Sequence, residues 1–221
     1  MIEPRSRSTI FRTSPYTDHR IATMQQAYAS DFDLTDKKDA ACVKQHYDHL
    51  QPLHSKEWPQ EQHFVLAWEA EDIKQYEQGM GGVLHRFLSQ LGISQLYLLD
   101  PLYEPFPFES FSKRNAFRRL TGSTLDHMGF LLDTYHLGQL LPLLLFSGIY
   151  GRPVVYFVSA YEELPLAFSL CDDGNFHATC LATDYPTVKE AAEKSGLITG
   201  DIELCAVHSI YILRNTYYQS K

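Results

Sequence analysis

The stretch LPLAFSLCDDGNFHATCLA, residues 164–182, predicts a β-hairpin and decides the class of the fold. Apolar residues alternate with small or polar residues on both sides of Asp172-Asp173-Gly174, which is typical of two half-buried strands joined by a turn. A three-residue loop with Gly174 in the left-handed conformation keeps the apolar residues of both strands on one face. The paired residues in this register are Leu170 with Phe176, Phe168 with Ala178, and Leu166 with Cys180.

Periodic patterns on either side of the hairpin predict further strands and helices. The clearest helix covers 183–195, with Pro186 in its first turn and Gly196 just after its end. Other predicted helices cover 37–53 and 73–91, and at least two lie within 112–146. Other predicted strands cover 64–68, 93–99, 153–160 and 201–213. We therefore predict an α/β (α+β) fold, in which a mixed β-sheet of about six strands carries helices and a hairpin–helix–strand unit ends the chain.

The first 36 residues differ in composition from the rest of the chain. Residues 1–20 are basic and rich in Ser, Thr and Pro, whereas aspartates make residues 31–39 acidic. Such a shift is typical of an arm that leads into a domain. We predict a partly mobile N-terminal arm over 1–36 and a single α/β domain over 37–221.

Three glycines in Gly79-Met80-Gly81-Gly82 fall inside the helix predicted over 73–91. They cost a continuous helix roughly 2–3 kcal/mol relative to alanine, so another interaction must offset the loss. Close packing of the helix against the sheet is the favoured explanation. A glycine turn that offers free backbone amides to an anion is the alternative.

Acidic residues outnumber basic ones, with 27 Asp and Glu against 19 Lys and Arg, so the net charge is −8. This excess opposes binding to phosphate backbones and favours encounter with a basic protein. The chain has no apolar stretch long enough to span a membrane, and its beginning lacks the features of a secretory signal. We expect a cytoplasmic protein that contacts a basic protein partner and neither nucleic acid nor a membrane.

The four cysteines form no C-x-x-C pair, so neither a disulfide framework nor a zinc ribbon is indicated. In the predicted hairpin, Cys171 and Cys180 point to opposite faces and cannot bond to each other. Cys205 and His208 lie three residues apart on the predicted last strand, where side chains at that spacing also point to opposite faces. We expect neither a bound metal nor a cofactor.

One alternative to that expectation is a metal site on the helix predicted over 37–53. Cysteine and histidine are suitable ligands for borderline cations, and they converge when they lie at i, i+4 and i+7 of a helix. The residues of this alternative metal site are Cys42, His46 and His49, with His54 just after the helix.

A second alternative is an acid/base site on the helices predicted within 112–146. A carboxylate can fix the tautomer of a nearby imidazole and raise its basicity. The residues of this alternative catalytic site are Asp126, His127, Asp133 and His136. The sequence contains neither G-x-S-x-G nor H-E-x-x-H, so no established nucleophile or zinc-protease pattern accompanies them.

An aromatic and acidic loop after the strand predicted over 93–99 is the favoured partner-binding segment. Prolines pre-order its backbone, and rigid aromatic side chains contribute strongly to interfaces. The predicted partner-binding residues are Tyr103, Glu104, Phe106, Phe108, Glu109 and Phe111. The alternative is that these rings pack under the sheet as a satellite of the core.

A small acidic α/β chain without a catalytic motif is similar in general character to bacterial immunity proteins and antitoxins. The favoured hypothesis is therefore an inhibitor that neutralises a partner protein without catalysing a reaction. The alternatives are a small-molecule hydrolase or transferase that uses the Asp/His site, with or without a metal, and a secreted effector.

Overall fold

The computed structural model describes residues 1–103, 106, 108, 110–123, 129–145, 155–171 and 173–209. Its strands are β1 (Ile2–Arg5), β2 (Glu61–Ala67), β3 (Gln95–Leu99), β4 (Gly129–Asp133), β5 (Tyr156–Ser159), β6 (Leu166–Leu170), β7 (Phe176–Leu181) and β8 (Ile198–Gly200). Its α-helices are α1 (Arg7–Thr13), α2 (Pro15–Ala29), α3 (Lys37–His46), α4 (Ile73–Gln90), α5 (Phe111–Thr121), α6 (Leu137–Leu144), α7 (Tyr185–Lys194) and α8 (Glu203–Val207).

The eight strands form one sheet in the order β1-β4-β3-β5-β6-β7-β2-β8. The predicted α/β class is confirmed, although the sheet has eight strands rather than about six. Every neighbouring pair is antiparallel, so the sheet is not mixed. Strands β2 and β3, which flank α4, are separated by three other strands and do not pair with each other.

The hairpin register predicted from the alternating pattern is confirmed. Leu170 lies opposite Phe176, and the remaining pairs follow in step. Gly174 takes a left-handed φ of 83° in the turn, which a side chain would disfavour. Helix α7 follows as predicted, but β8 (Ile198–Gly200) lies before the strand predicted over 201–213, and Glu203–Val207 of that range form helix α8 instead.

Helices cover both faces of the sheet. The larger core lies between one face and α4, α5, α6 and α7, and it includes Phe157 of β5. The smaller core lies between the other face and α1 and α2, and it includes Tyr156 and Val158 of the same strand. Because side chains alternate along a strand, successive residues of β5 serve different cores.

The first 29 residues contribute a strand and two helices to this structure, which differs from a simple arm. Ile10, Phe11 and Ile21 are buried against the sheet. Arg7 pairs with Asp48 at 3.0 Å and donates to the Asp100 carbonyl at 2.8 Å, and its side chain is nearly fully buried. Because the segment is mostly polar in composition, these few apolar residues do not indicate a packed structure in the sequence. The domain boundary at residue 36 stays a prediction.

The glycines of α4 allow two close contacts. A Cβ on Gly81 would lie 2.4 Å from the Cα of Gly138 in α6, and one on Gly79 would lie 2.4 Å from the ring of Trp68. The helix continues through the glycines, as the packing interpretation requires. The close partner of Gly81, however, is another helix and not the sheet.

No helix in the described part of the chain combines the length and the apolar character needed to cross a membrane.

Candidate functional site

The turn between β6 and β7 is held from inside the protein. The Cys171 amide donates to the Asn175 carbonyl at 2.9 Å, and the Gly174 amide donates to the Cys171 carbonyl at 3.0 Å. The hydroxyl of Tyr76 on α4 donates to the Gly174 carbonyl, and Tyr76 is fully buried. The turn therefore fixes the relative positions of Cys171, just before it, and His177, at the start of β7.

Helix α8 brings a third residue, Cys205, to this turn. The amide of Asn175, which has no solvent exposure, donates to the carbonyls of Cys205 and His208 at 3.4 Å each. The hydroxyl of Ser209 donates to Asp173 in the turn at 2.6 Å. These bonds fasten the end of α8 to the turn and place the Cys205 thiol beside Cys171 and His177.

The two thiols and the imidazole converge. Cys205 Sγ lies 3.9 Å from Cys171 Sγ and 3.1 Å from His177 Nε2. One potential ligand atom of each residue lies within 4.8 Å of those of the other two, and no second group of three His, Cys, Asp or Glu ligands does so among the described residues. We call Cys171, His177 and Cys205 the thiol–imidazole cluster.

Two of the ligand distances in this cluster can be compared with those of a tetrahedral zinc site. Zinc binds sulfur at about 2.3 Å and imidazole nitrogen at about 2.0–2.1 Å, so tetrahedral ligands lie about 3.8 Å apart for two sulfurs and about 3.6 Å apart for sulfur and nitrogen. The observed sulfur–sulfur distance is 3.9 Å and the sulfur–nitrogen distance is 3.1 Å. The sulfur–sulfur distance fits such a site, whereas the imidazole must move outward by about 0.5 Å from Cys205 to reach the sulfur–nitrogen spacing of a zinc site.

The residues of the thiol–imidazole cluster also shift one another's pKa values. The thiol of Cys171 donates to Cys205 and lowers the pKa of Cys205. The same hydrogen bond, together with burial, raises the pKa of Cys171. Interaction with Cys171 raises the pKa of His177 despite its burial. Cys205 is only 6% exposed while the other two are half-buried, so the cluster is partly shielded from water and still reachable.

A second polar cluster lies on the same face of the sheet, under α2. Arg20 pairs with Glu61 of β2 and donates to the Tyr156 hydroxyl at 3.1 and 3.2 Å. Thr179 of β7 lies 3.5 Å from Arg20 and 2.9 Å from the ring of His63. Burial lowers the pKa of Arg20, but the attraction of Tyr156 and Glu61 outweighs it and the net shift is upward. We call this group the Arg20–Glu61 cluster, and its opposite charges neutralise each other.

Two residues of the predicted partner-binding loop pack against the core. Phe106 is 3% exposed and packs against Phe117 and Phe130, with ring centroids 5.5 and 5.9 Å apart. Phe108 is half-buried against Phe117 at 5.1 Å. The burial of Phe106 in the core of the α5 face disfavours its contact with a partner, whereas the interface assignment of the half-buried Phe108 stays a prediction.

The other residues of that loop have different positions. Tyr103 and Phe111 are exposed, at 43% and 73%. The Tyr103 ring lies 5.8 Å from the Arg7 guanidinium, and Phe111 begins α5. Glu104 and Glu109 lie outside the described residues.

The alternative metal site on the predicted helix over 37–53 is not assembled. Helix α3 ends at His46, so His49 does not follow the helical spacing that the interpretation requires. The ring of His49 lies 2.7 Å from the Asp18 carboxylate, and that of His54 lies 2.8 Å from the Phe11 carbonyl. Cys42 and His46 remain on α3 and belong to no three-ligand group among the described residues.

The alternative catalytic site is only partly described. Asp126 and His127 lie outside the described residues. Asp133 ends strand β4 and His136 ends a short 3-10 turn, so the helix predicted to carry both is wrong at this point. Both side chains lie against the amino group of Met1, which pairs with Asp133 and is 2.7 Å from His136 Nε2.

The thiol–imidazole cluster does not follow from the sequence pattern, because residues 201–213 were predicted to form a strand. Residues Glu203–Val207 of that range form α8 instead, and the Asp201 carboxylate accepts from the Glu203 amide at 3.1 Å as the helix begins. The correct hairpin register already places Cys171 and His177 at the same end of the ribbon. Predicting a short helix in place of the last strand would have been needed to place Cys205 beside these two residues.

Comparisons with protein-family models, with curated proteins and with solved structures found no match to this chain.

Proposed function

We propose that the protein binds one Zn²⁺ ion through Cys171, His177 and Cys205. The observation that carries the proposal is the convergence of the three ligand atoms within 4.8 Å of one another. Two thiolates and one imidazole form a ligand set that suits zinc and disfavours Mg²⁺ and Ca²⁺, which prefer oxygen ligands. This proposal replaces the expectation of a chain without metal.

The position of α8 suggests what the ion does. The helix has only five residues, and it is too short to be stable by itself. One ion bound jointly by Cys205 and by Cys171 and His177 at the β6–β7 turn would fasten α8 to the sheet. The binding free energy of the ion would then add to folding stability. With three ligands from the chain, the fourth coordination position is left for water or for a group of a partner.

The ligand thiols must be reduced to bind, which favours a reducing compartment such as the cytoplasm. A cytoplasmic location is therefore part of the proposal.

Zinc binding is tested with protein purified in metal-free buffer. Added Zn²⁺ in competition with a chelator gives the affinity, elemental analysis gives the stoichiometry, and Co²⁺ reports thiolate ligation by its absorption. We expect one ion per chain, and Cys171→Ser and His177→Ala should each weaken binding more than about 100-fold, since even outer residues of metal sites contribute about 10–100-fold. The matched controls are Cys42→Ser and His63→Ala. Equal affinity in all variants would refute the proposal.

A second candidate function is capture of a basic protein, as an inhibitor of the immunity or antitoxin type would do. Its support is the net charge of −8 and the 73% exposed ring of Phe111. Pull-down from the producing organism should recover a basic protein with wild type and lose it with Phe111→Ala. Ile202→Ala, which removes an exposed apolar side chain elsewhere, is the control. Recovery of the same proteins by both variants would remove this candidate.

A further inference from the structure

We propose that Cys171 and Cys205 are a modification site: hydroperoxides convert them into a reversible intramolecular disulfide and thereby release the bound metal. The release of metal rests on the proposed zinc binding. The disulfide itself rests on the thiol geometry alone, so the two can fail separately.

The distance between the two sulfurs carries the inference. They lie 3.9 Å apart and belong to residues 34 positions apart in the chain. A disulfide bond is about 2.05 Å long, so the sulfurs must approach by about 2 Å for the bond to form. Both cysteines are free thiols in the structure.

The other two cysteines do not compete for this bond. Cys180 is fully buried in the core on the opposite face of the hairpin, and that burial raises its pKa to about 12. Cys42 lies on α3, half-buried and without a thiol partner among the described residues. Oxidation is therefore directed to Cys171 and Cys205, of which Cys171 is partly exposed.

The reaction balances with one hydroperoxide for each disulfide. One cysteine sulfur attacks the peroxide, the O–O bond breaks, a sulfenic acid forms, and the departing oxygen takes a proton and leaves as water or an alcohol. The second sulfur then attacks the sulfenic sulfur, the S–O bond breaks, and the departing hydroxide leaves as water, with a proton from the second thiol in the metal-free chain or from solvent in the zinc-loaded chain. The thiols together lose two electrons, and the peroxide gains both.

The disulfide removes two of the three protein ligands of the metal and leaves His177 alone. It also replaces the metal bond between α8 and the β6–β7 turn with a covalent bond, so the helix stays attached in either state. A thiol reductant reverses the reaction by disulfide exchange and restores the metal site.

The experiment treats metal-free and zinc-loaded wild-type chains with hydrogen peroxide and identifies the cross-linked peptides by mass spectrometry. We expect a Cys171–Cys205 cross-link, lighter by two hydrogens and lost on addition of dithiothreitol. From the loaded protein a chromogenic chelator should detect one zinc ion released per disulfide. Cys42→Ser should behave as wild type.

The variant His177→Ala separates the two proposals, because it removes a metal ligand and keeps both thiols. It should lose tight zinc binding and still form the Cys171–Cys205 disulfide. Tight zinc binding in this variant would overturn the proposed function and leave the disulfide standing. Absence of the cross-link from metal-free wild type, or equal cross-linking of Cys42 or Cys180, would overturn the present inference.

Discussion

His177 and Thr179 are two residues apart on β7, so they point to the same face of the sheet. Yet they belong to polar clusters of opposite character. Thr179 joins the Arg20–Glu61 cluster, in which a cation faces an anion and the charges cancel. His177 joins the thiol–imidazole cluster, in which three electron-pair donors converge on one point.

The difference separates a structural cluster from a binding site. In the Arg20–Glu61 ion pair, whose side chains are 12% and 14% exposed, each charge compensates the other, and the pair fixes α2 to β2. In the thiol–imidazole cluster, by contrast, the two sulfurs and the imidazole nitrogen are compensated only when a cation binds between them. The following predictions test this distinction, beginning with the largest effect.

Breaking the Arg20–Glu61 cluster should reduce stability without changing metal binding. Glu61→Gln leaves the buried Arg20 without its anionic partner, and we expect a loss of about 3–5 kcal/mol in the free energy of unfolding. Urea unfolding of the metal-free protein measures the loss. Zinc affinity should stay within twofold of wild type, and a large fall in affinity would show that the two clusters act as one.

Zinc should stabilise the wild-type protein and not the ligand variant. At a free zinc concentration 100 times the dissociation constant, the stabilisation is about 2.7 kcal/mol. Thermal or urea unfolding with and without zinc measures it, and Cys205→Ser should gain no more than about 0.4 kcal/mol at the same zinc concentration if its affinity is about 100-fold weaker or more. An equal gain in Cys205→Ser would locate the ion elsewhere.

Asn175 should act as a positioning residue for Cys205. Its amide joins the turn to the end of α8, and Asn175→Ala should weaken zinc binding about 10–100-fold, as loss of an outer residue does in other metal sites. The Co²⁺ absorption of the variant should keep its thiolate bands, because all three ligands remain. Loss of those bands at saturating Co²⁺ would contradict a positioning role.

The smallest expected effect concerns His19, beside the Arg20–Glu61 cluster. Burial lowers the pKa of His19 below its ordinary value of 6.5, so the unfolded chain takes the proton more readily than the folded one. This contribution to stability is complete above pH 6.5 and is lost as the pH falls below it. Unfolding between pH 7.5 and about 5 should show a weaker decline in His19→Gln than in wild type. An identical decline would exclude His19 as the cause.

The sequence predicts best where structure is set by neighbours along the chain. The hairpin register follows from alternation and from one left-handed glycine, and α7 follows from Pro186 and Gly196 at its ends. The order of strands in the sheet is set by contacts between distant segments, which periodicity does not report. Strand β4 was hidden because only the short 3-10 turn Thr134–His136 separates it from the apolar helix α6, so the whole stretch was assigned to helices.

The candidate site could not be predicted from local sequence patterns, because it too depends on contacts between distant segments. Cys171 and His177 follow from the hairpin, but Cys205 reaches them through a five-residue helix that Asn175 and Ser209 hold to the turn. The aromatic loop shows the opposite error. Its composition is that of an interface, and only the packing of Phe117 and Phe130 makes Phe106 part of the core.

The most direct test of the account is the zinc content of the full chain after equilibration with Zn²⁺ and removal of the excess ion under reducing conditions. The account predicts one zinc per chain in wild type and in Cys42→Ser, and less than one tenth of that in Cys205→Ser. Zinc at the level of Cys205→Ser in all three proteins would contradict it.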